Sequence, residues 1–237
     1  MKTKVVLFDL DGTLLPMDQD VFVKSYMKRL AAYLAPHGYE PERLVKTIWG
    51  GTEAMIRNKG EKTNEGVFWD YFSGVFGERA REDEVIFEEF YRVGFPKVSE
   101  SCGFNSRAAE AIAILREKGI RRVLATNPIF PAIATEQRIK WAGLDRSDFE
   151  LITTYENSRH AKPNPAYYAD ILDAIGLSPE ECLMVGNDVG EDMIASSLGM
   201  NVFLVTDDLI NRSGVDISVY PNGSLGDLCE FLRELNK

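Results

Sequence analysis

The sequence predicts an α/β fold: a doubly wound, mainly parallel sheet with an inserted all-helical segment. Two observations carry this prediction. From about residue 104 onward, helical periodicity alternates with short apolar runs, an order typical of βα units and a parallel sheet. Between about residues 18 and 100, apolar residues recur at helical spacing, with almost no strand signal.

The first strand is predicted at residues 5–8, an uninterrupted apolar run that fits a strand covered on both faces. Asp9 and Asp11 follow it directly, and Gly12 permits a sharp turn. Ligands of open parallel sheets bind at the carboxyl ends of strands. Two such close carboxylates repel each other unless a cation, a shared proton or a substrate lies between them. An ordinary Asp-Gly turn is the alternative, but the preceding strand and the motifs below favour a functional site.

The inserted segment is predicted to contain four helices with aromatic-rich apolar faces. They cover about residues 21–34, 41–48, 63–76 and 85–91, and the second is expected to be interrupted near Gly50 and Gly51. These faces are sufficient to pack against one another as a bundle. We therefore predict an all-helical inserted domain over residues 17–100 and a doubly wound α/β domain over residues 1–16 and 101–237.

The remainder of the chain is predicted to continue as βα units. Helices at about 106–118, 132–142, 166–175 and 194–198 alternate with strands at about 121–125, 149–153, 182–185 and 202–205. Right-handed crossovers would place these helices on both faces of the sheet. Polar motifs follow two of these strands and precede one helix, where a site of an open α/β sheet is expected.

Composition narrows the function classes. The net charge of -10 argues against nucleic acid as a partner, because phosphate backbones require a basic face. No apolar stretch is long enough to span a membrane, and the apolar run after Lys4 is too short for a signal peptide. The three cysteines have no metal-ligand spacing and indicate free thiols in a reducing compartment. We therefore expect a cytoplasmic protein that binds neither nucleic acid nor membranes.

Residues 9–14, Asp-Leu-Asp-Gly-Thr-Leu, resemble the first motif of the haloacid dehalogenase superfamily of hydrolases, most of which are phosphatases. The resemblance implies a Rossmann-like core with a helical cap inserted between the first and second motifs. It implies that Asp9 is the nucleophile, forming an aspartyl-phosphate, and that Asp11 is the general acid/base. It also implies Mg²⁺, bound by Asp9, by the backbone carbonyl of Asp11 and by an acid far along the chain.

Two later segments resemble the second and third motifs of that superfamily. Thr126 occupies the Ser/Thr position of the second motif, and we expect Thr126 and Asn127 to hydrogen-bond the phosphoryl oxygens. Lys162, which precedes a proline at the start of a helix, resembles the lysine of the third motif. Its ammonium could neutralise Asp9 and the phosphoryl group together. An ordinary turn and an ordinary surface lysine are the alternatives for these two segments.

Residues 186–192 resemble the acidic fourth motif, which completes the Mg²⁺ site. The sequence departs from the commonest pattern, because Asn187 follows the glycine and Asp188 comes one residue later. Mg²⁺ favours a charged oxygen, so Asp188 is the predicted ligand and Asn187 the alternative. Asp192 is predicted either to lie next to the metal ligands without binding the metal itself, or to accept a hydrogen bond from Lys162.

The predicted function is hydrolysis of a small phosphorylated metabolite. Asp11 argues for phosphoryl chemistry, because a halide leaves without needing a proton. A phosphomutase could use the same motifs, and a phosphonatase would need a cap lysine, for which Lys24, Lys28 and Lys46 do not stand out. A non-catalytic protein that binds a phosphorylated ligand or a partner is the alternative of another class.

One hypothesis concerns the leaving group of the substrate. The expected interruption at residues 49–52, together with Arg57 just beyond it, could contact that group. An ordinary helix–helix turn is the alternative for this stretch.

Overall fold

The computed structural model describes residues 2–237 and contains one six-stranded sheet. The strand order is β3-β2-β1-β4-β5-β6, and all five neighbouring pairs are parallel. The strands are β1 (Val5–Phe8), β2 (Arg121–Leu124), β3 (Leu151–Ile152), β4 (Cys182–Gly186), β5 (Asn201–Val205) and β6 (Asn222–Gly223). The predicted α/β fold with a parallel sheet is confirmed.

Strand β1 lies at the centre of the sheet and is covered on both faces. All four of its residues are fully buried; Val6 and Phe8 join one apolar cluster, and Val5 and Leu7 join the other. This division follows from the alternation of side chains along a strand. β1 is hydrogen-bonded to β2 on one side and to β4 on the other, and all three strands run parallel. The residues that follow these three strands therefore lie side by side at one edge of the sheet.

Eight α-helices are described between residues 2 and 237. Four lie between β1 and β2 as a helical segment, and a fifth leads into β2. None of the helices in this described range combines the length and hydrophobicity that a membrane crossing requires. The helices are α1 (Gln19–Leu34), α2 (Pro41–Ile56), α3 (Asn64–Phe76), α4 (Glu84–Val93), α5 (Arg107–Glu117), α6 (Ala132–Trp141), α7 (Pro165–Ile175) and α8 (Leu225–Glu234).

Capping residues set where the helices of the site begin. The Asp18 side chain accepts hydrogen bonds from the first backbone amides of α1, and Thr63 caps α3 in the same way. Asn164 caps α7, whose first residue is Pro165. These side chains satisfy amides that have no partner within the helix, which fixes the starting positions.

Aromatic rings fill the interior of the helical segment. Trp69 lies edge-on to Phe87, with ring centroids 5.3 Å apart, and Phe72 contacts the same ring at 5.3 Å. The cluster continues through Phe95 to Phe130, on the loop after β2, at 6.3 Å. The apolar interior of the helical segment is therefore continuous with that on one face of the sheet. The domain boundaries at residues 17 and 101 stay a prediction.

Three parts of the chain differ from the sequence-based expectation. The interruption predicted near Gly50 and Gly51 is wrong, since α2 runs unbroken through both. Residues 193–198 form a 3-10 helix rather than an α-helix. The prediction also omitted β6 and α8, which follow β5 at one edge of the sheet.

Candidate active site

Lys162 lies at the centre of the converging strand ends. Its Nζ donates to Asp9 Oδ1 at 2.8 Å and to Asp192 Oδ1 at 2.6 Å. The side chain is fully buried on the loop that leads into α7. Burial alone would lower the pKa of Lys162, but Asp192 and Asp9 outweigh burial and raise its pKa well above the ordinary value. The lysine is thus a fixed cation between two carboxylates, Asp9 on the segment after β1 and Asp192 on the segment after β4.

The second oxygen of Asp9 is held by the turn that follows β1. Thr13 Oγ1 lies 3.1 Å from Asp9 Oδ2 and 3.0 Å from Asn187 Oδ1. Asn187 in turn donates from Nδ2 to the Asp208 carbonyl at 2.6 Å. Gly12 has a φ of +84°, and a Cβ there would lie 2.3 Å from Asn187 Nδ2. A glycine at this position therefore permits both the turn and the close approach of Asn187.

Asp188 faces the cavity beside Asp9. Its Oδ1 accepts from the backbone amides of Gly190 at 2.7 Å and Glu191 at 3.0 Å, and its Oδ2 accepts from Arg212 at 3.2 Å. Its own amide donates to Asp192 Oδ2 at 3.0 Å. Both Asn187 and Asp188 line the cavity and have their polar side-chain atoms engaged within the protein; they differ in that Asn187 is neutral and Asp188 is a carboxylate.

Asp11 is paired with Arg138, which no motif indicated. The Arg138 guanidinium donates to Asp11 Oδ2, is fully buried, and lies 4.5 Å from the ring centre of Phe130. Among residues 2–237, Asp11 Oδ1 has no hydrogen-bond partner. Burial raises the pKa of Asp11, and Asp9 adds to this, whereas Arg138 and Lys162 act to lower it. Asp11 therefore has one oxygen held and one free.

The position of Arg138 in α6 is the feature of the sequence that could have indicated a buried ion pair. It follows Ala134 by four residues and precedes Ile139, and all of these are buried on the same helix. A cation in the apolar stripe of an amphipathic helix must have a buried anion as its partner. The pattern could have indicated such a partner but not its identity, because Asp11 lies 127 residues away.

Thr126 and Asn127 lie on the opposite side of Asp9, after β2. The Thr126 carbonyl accepts from Thr153 Oγ1 at 2.7 Å and from the Tyr167 hydroxyl at 2.9 Å, which fixes this loop. Asn127 Nδ2 donates to Glu191 Oε2 at 3.1 Å. Burial raises the pKa of Glu191 above its usual value. Both loop residues line the cavity that contains Asp9.

Negative charge exceeds positive charge around this cavity. Its lining includes the carboxylates of Asp9, Asp11, Asp188, Glu191 and Asp192. Three cations contact these groups, namely Lys162, Arg138 and Arg212. With every one of these carboxylates ionised, the formal excess is two negative charges. Burial raises the pKa of Asp192, and Asp9 adds to this, whereas Lys162 acts to lower it.

The helical segment forms the far side of the cavity. Trp49 and Thr52 of α2 line it, but they do so from an unbroken helix and not from a turn. Arg57 forms an ion pair with Glu53 at 2.6 Å, and three quarters of its side chain is exposed. The predicted interruption is therefore absent: a helix face lines the cavity at this point, and Arg57 is not part of that lining.

Comparison with known proteins identifies the class of protein to which this site belongs. The profile of the haloacid dehalogenase-like hydrolases matches residues 3–197, and the chain belongs to this family. A pyrophosphatase PpaX of Bacillus cereus is 24% identical over 240 aligned positions and the full length of both chains. A phosphoglycolate phosphatase of Aquifex aeolicus is 24% identical over 188 positions, 78% of this chain and 76% of its own.

Solved structures share the fold. A haloacid dehalogenase phosphatase from Thermococcus onnurineus superimposes with a TM-score of 0.59 at 19% identity, covering 98% of each chain. The sequence-based identification as a haloacid dehalogenase-like hydrolase of the phosphatase type is therefore confirmed. The roles of the individual site residues stay predictions.

Proposed function

We propose that this hydrolase is a Mg²⁺-dependent phosphoric monoester hydrolase that acts on a small phosphorylated metabolite through an aspartyl-phosphate on Asp9. The observation that carries the proposal is the buried Lys162, whose ammonium lies 2.8 Å from Asp9 Oδ1. A fixed cation beside a carboxylate suits a site where a phosphoryl group adds further negative charge. The names of the two relatives, a pyrophosphatase and a phosphoglycolate phosphatase, support release of phosphate from small molecules.

The donor set at the strand ends fits Mg²⁺. Asp9, the backbone carbonyl of Asp11 and Asp188 would hold the ion at the carboxylate-rich end of the cavity. Two carboxylates and one carbonyl suit Mg²⁺, which keeps several waters and binds through one or two carboxylates and substrate phosphate. Bound there, Mg²⁺ supplies the positive charge that lets a carboxylate approach a phosphate dianion.

Asp9 is the proposed nucleophile of the first step. One of its carboxylate oxygens attacks phosphorus, and the bond from phosphorus to the ester oxygen breaks as the new bond forms. Lys162 holds Asp9 in place and neutralises charge on the transferring group. Thr126 and Asn127 are proposed to hydrogen-bond the phosphoryl oxygens from the opposite wall.

Asp11 is the proposed general acid and then the general base. In its protonated form it gives its proton to the departing alkoxide, which leaves as the alcohol. It then takes a proton from a water molecule that attacks phosphorus, which breaks the bond to Asp9 and releases inorganic phosphate. Arg138 holds one Asp11 oxygen, and the other is buried and has no hydrogen-bond partner among residues 2–237.

The test is hydrolysis of p-nitrophenyl phosphate with Mg²⁺, by wild type and by Asp9→Asn, each with and without EDTA. We expect turnover by wild type only, and its loss on chelation. Asp173→Asn, an exposed acid on α7, is the control and should retain full activity. Undiminished activity of Asp9→Asn would remove the aspartyl nucleophile from the proposal, and undiminished activity in EDTA would remove the metal.

A further inference from the structure

The active-site cavity extends well beyond the space that a phosphoryl group occupies. Its volume is about 600 Å³, within the roughly 300–1,000 Å³ typical of small-molecule sites. One end is formed by the charged groups above β1 and β4. The other end is a wall of side chains from α1 and α2, where the part of the substrate that leaves with the ester oxygen must lie.

This wall is apolar and carries no net charge. Its only charged side chains are Asp20 and Lys24, which are one helical turn apart on α1 and whose formal charges cancel, although they form no ion pair. Gln19 and Thr52 are polar and neutral. The remaining six side chains of the wall are all apolar: Phe22, Val23, Met27, Val45, Trp49 and Ile56.

Two of these apolar side chains are unusually accessible. Trp49 is 50% exposed and Ile56 is 38% exposed, although both belong to a helix whose opposite face is buried. A second, smaller cavity of about 80 Å³ shares Val23, Trp49 and Phe130 with the first. Apolar surface therefore continues from the reaction centre into the interior of the helical segment.

We infer that the substrate is a phosphate monoester whose alcohol carries a large, uncharged apolar group, seated against Trp49 and its neighbours. This inference rests on the proposed phosphatase function. Removal of such a group from water at this wall favours binding. A carboxylate or a second phosphate there would lose its hydration at a wall that is mostly apolar and whose formal charges sum to zero. Arg212, at the other end of the cavity, is engaged by Asp188.

The first experiment compares benzyl phosphate with carboxybenzyl phosphate in the presence of Mg²⁺. The two esters differ only in a charge remote from the reacting oxygen, so their intrinsic reactivities are similar. We expect kcat/KM for benzyl phosphate to be greater by about tenfold or more, as found when a pocket discriminates by one unfavourable group. Pyrophosphate and phosphoglycolate, whose leaving groups are anionic, should be poorer still.

Variants of the wall make the test specific. Trp49→Ala should lower kcat/KM for benzyl phosphate by about tenfold, mainly through KM, and should lower that for acetyl phosphate by much less, since acetyl phosphate is too small to reach the wall. Phe104→Ala is the control, because Phe104 is an exposed aromatic outside the cavity. Ile56→Lys, at the end of α2, should move the preference toward carboxybenzyl phosphate.

The possible outcomes distinguish a failure of the proposed phosphatase function from a failure of the inference about the leaving group. If Mg²⁺-dependent hydrolysis occurs but carboxybenzyl phosphate or pyrophosphate is the better substrate, the proposed function stands and the apolar leaving group is refuted. An unchanged preference in Trp49→Ala would also refute it. If no phosphate donor, acetyl phosphate included, is hydrolysed with Mg²⁺, the proposed function itself fails and the inference fails with it.

Discussion

Arg138 and Lys162 are both buried cations held against carboxylates at the end of β1. Each contact joins residues that are more than 100 positions apart in the chain. Transfer of a charge from water into the interior is costly, and only a close partner of opposite charge offsets it. Removal of one partner of either ion pair should therefore lower the stability of the fold strongly, because the other charge is then buried and uncompensated.

We predict that Arg138→Met lowers the free energy of unfolding by about 3–5 kcal/mol, because Asp11 then loses the partner of its held oxygen. Urea denaturation measures this change. The double variant Arg138→Met/Asp11→Asn should lose less than the two single variants combined, since neither charge is then stranded.

The control for Arg138 is Arg146→Met. Arg146 forms an exposed ion pair with Glu136 at 3.1 Å, and such surface pairs contribute about 0–1 kcal/mol. Equal effects of the two Arg→Met changes would contradict the assignment of Arg138 as a buried partner of Asp11.

A metal-binding measurement tests whether Asp188 or Asn187 is the Mg²⁺ ligand. A ligand that binds only the folded state raises the midpoint of thermal unfolding. We expect Mg²⁺ to raise this midpoint in wild type and in Asn187→Ala, but to have little effect in Asp188→Asn. The Asn187→Ala protein should be less stable without metal, because the contacts to Thr13 and Asp208 are lost. A shift retained in Asp188→Asn and lost in Asn187→Ala would reverse the assignment.

At the scale of elements, α2 shows why two adjacent glycines need not interrupt a helix. A Cβ at Gly50 would lie 2.2 Å from the Tyr71 hydroxyl, and one at Gly51 would lie 2.7 Å from the Phe68 ring. The glycines thus let α3 approach closely. Their cost to the helix, about 0.5–1 kcal/mol each, is offset by packing between the two helices.

We predict opposite effects of the same substitution at two helical glycines. Gly51→Ala should lower the free energy of unfolding by about 1–3 kcal/mol, because the added methyl overpacks against Phe68. Gly74→Ala, on α3 with open space around its Cβ position, should raise it by about 0.5–1 kcal/mol. Chemical denaturation of the two variants provides the measurement. Stabilisation by Gly51→Ala would show that α2 and α3 are not in close contact there.

At the scale of the whole molecule, the amino end of α3 ties the helical segment to the active-site loops. The fully buried Asn64 donates from Nδ2 to the Pro128 carbonyl at 3.0 Å and to the His160 carbonyl at 3.2 Å. Pro128 follows Asn127, and His160 lies two residues before Lys162. One side chain therefore links the helices to the loops of both the second and the third motif.

We predict that Asn64→Ala lowers the free energy of unfolding by about 1–3 kcal/mol, because it leaves one buried and one partly buried carbonyl without a donor. Asn201→Ala is the control: it is exposed, and its hydrogen bonds are long, at 3.4 Å. Faster amide hydrogen exchange near residues 128 and 160 should accompany the Asn64 change. Equal stability of the two variants would contradict the link.

Several parts of the fold were predictable from sequence because their signals are local. The alternation of apolar strands and amphipathic helices is encoded within short windows, and it predicts a parallel sheet. The sheet then places the motifs after β1, β2 and β4 at one edge, since parallel strands end on the same side. By contrast, β6 is only two residues long and poorly buried, so it carries no local pattern.

The fold class, the family and the segments that meet at the site could be predicted from the sequence, because each depends on patterns within a few residues. The folded structure was needed to identify the partner of Asp11, the continuity of α2 and the engagement of Asn187 by Thr13 and Asp208. It also decided that the wall facing the reaction centre is apolar. These features arise from contacts between residues far apart in the chain. A local sequence pattern does not specify which distant side chain will be in contact.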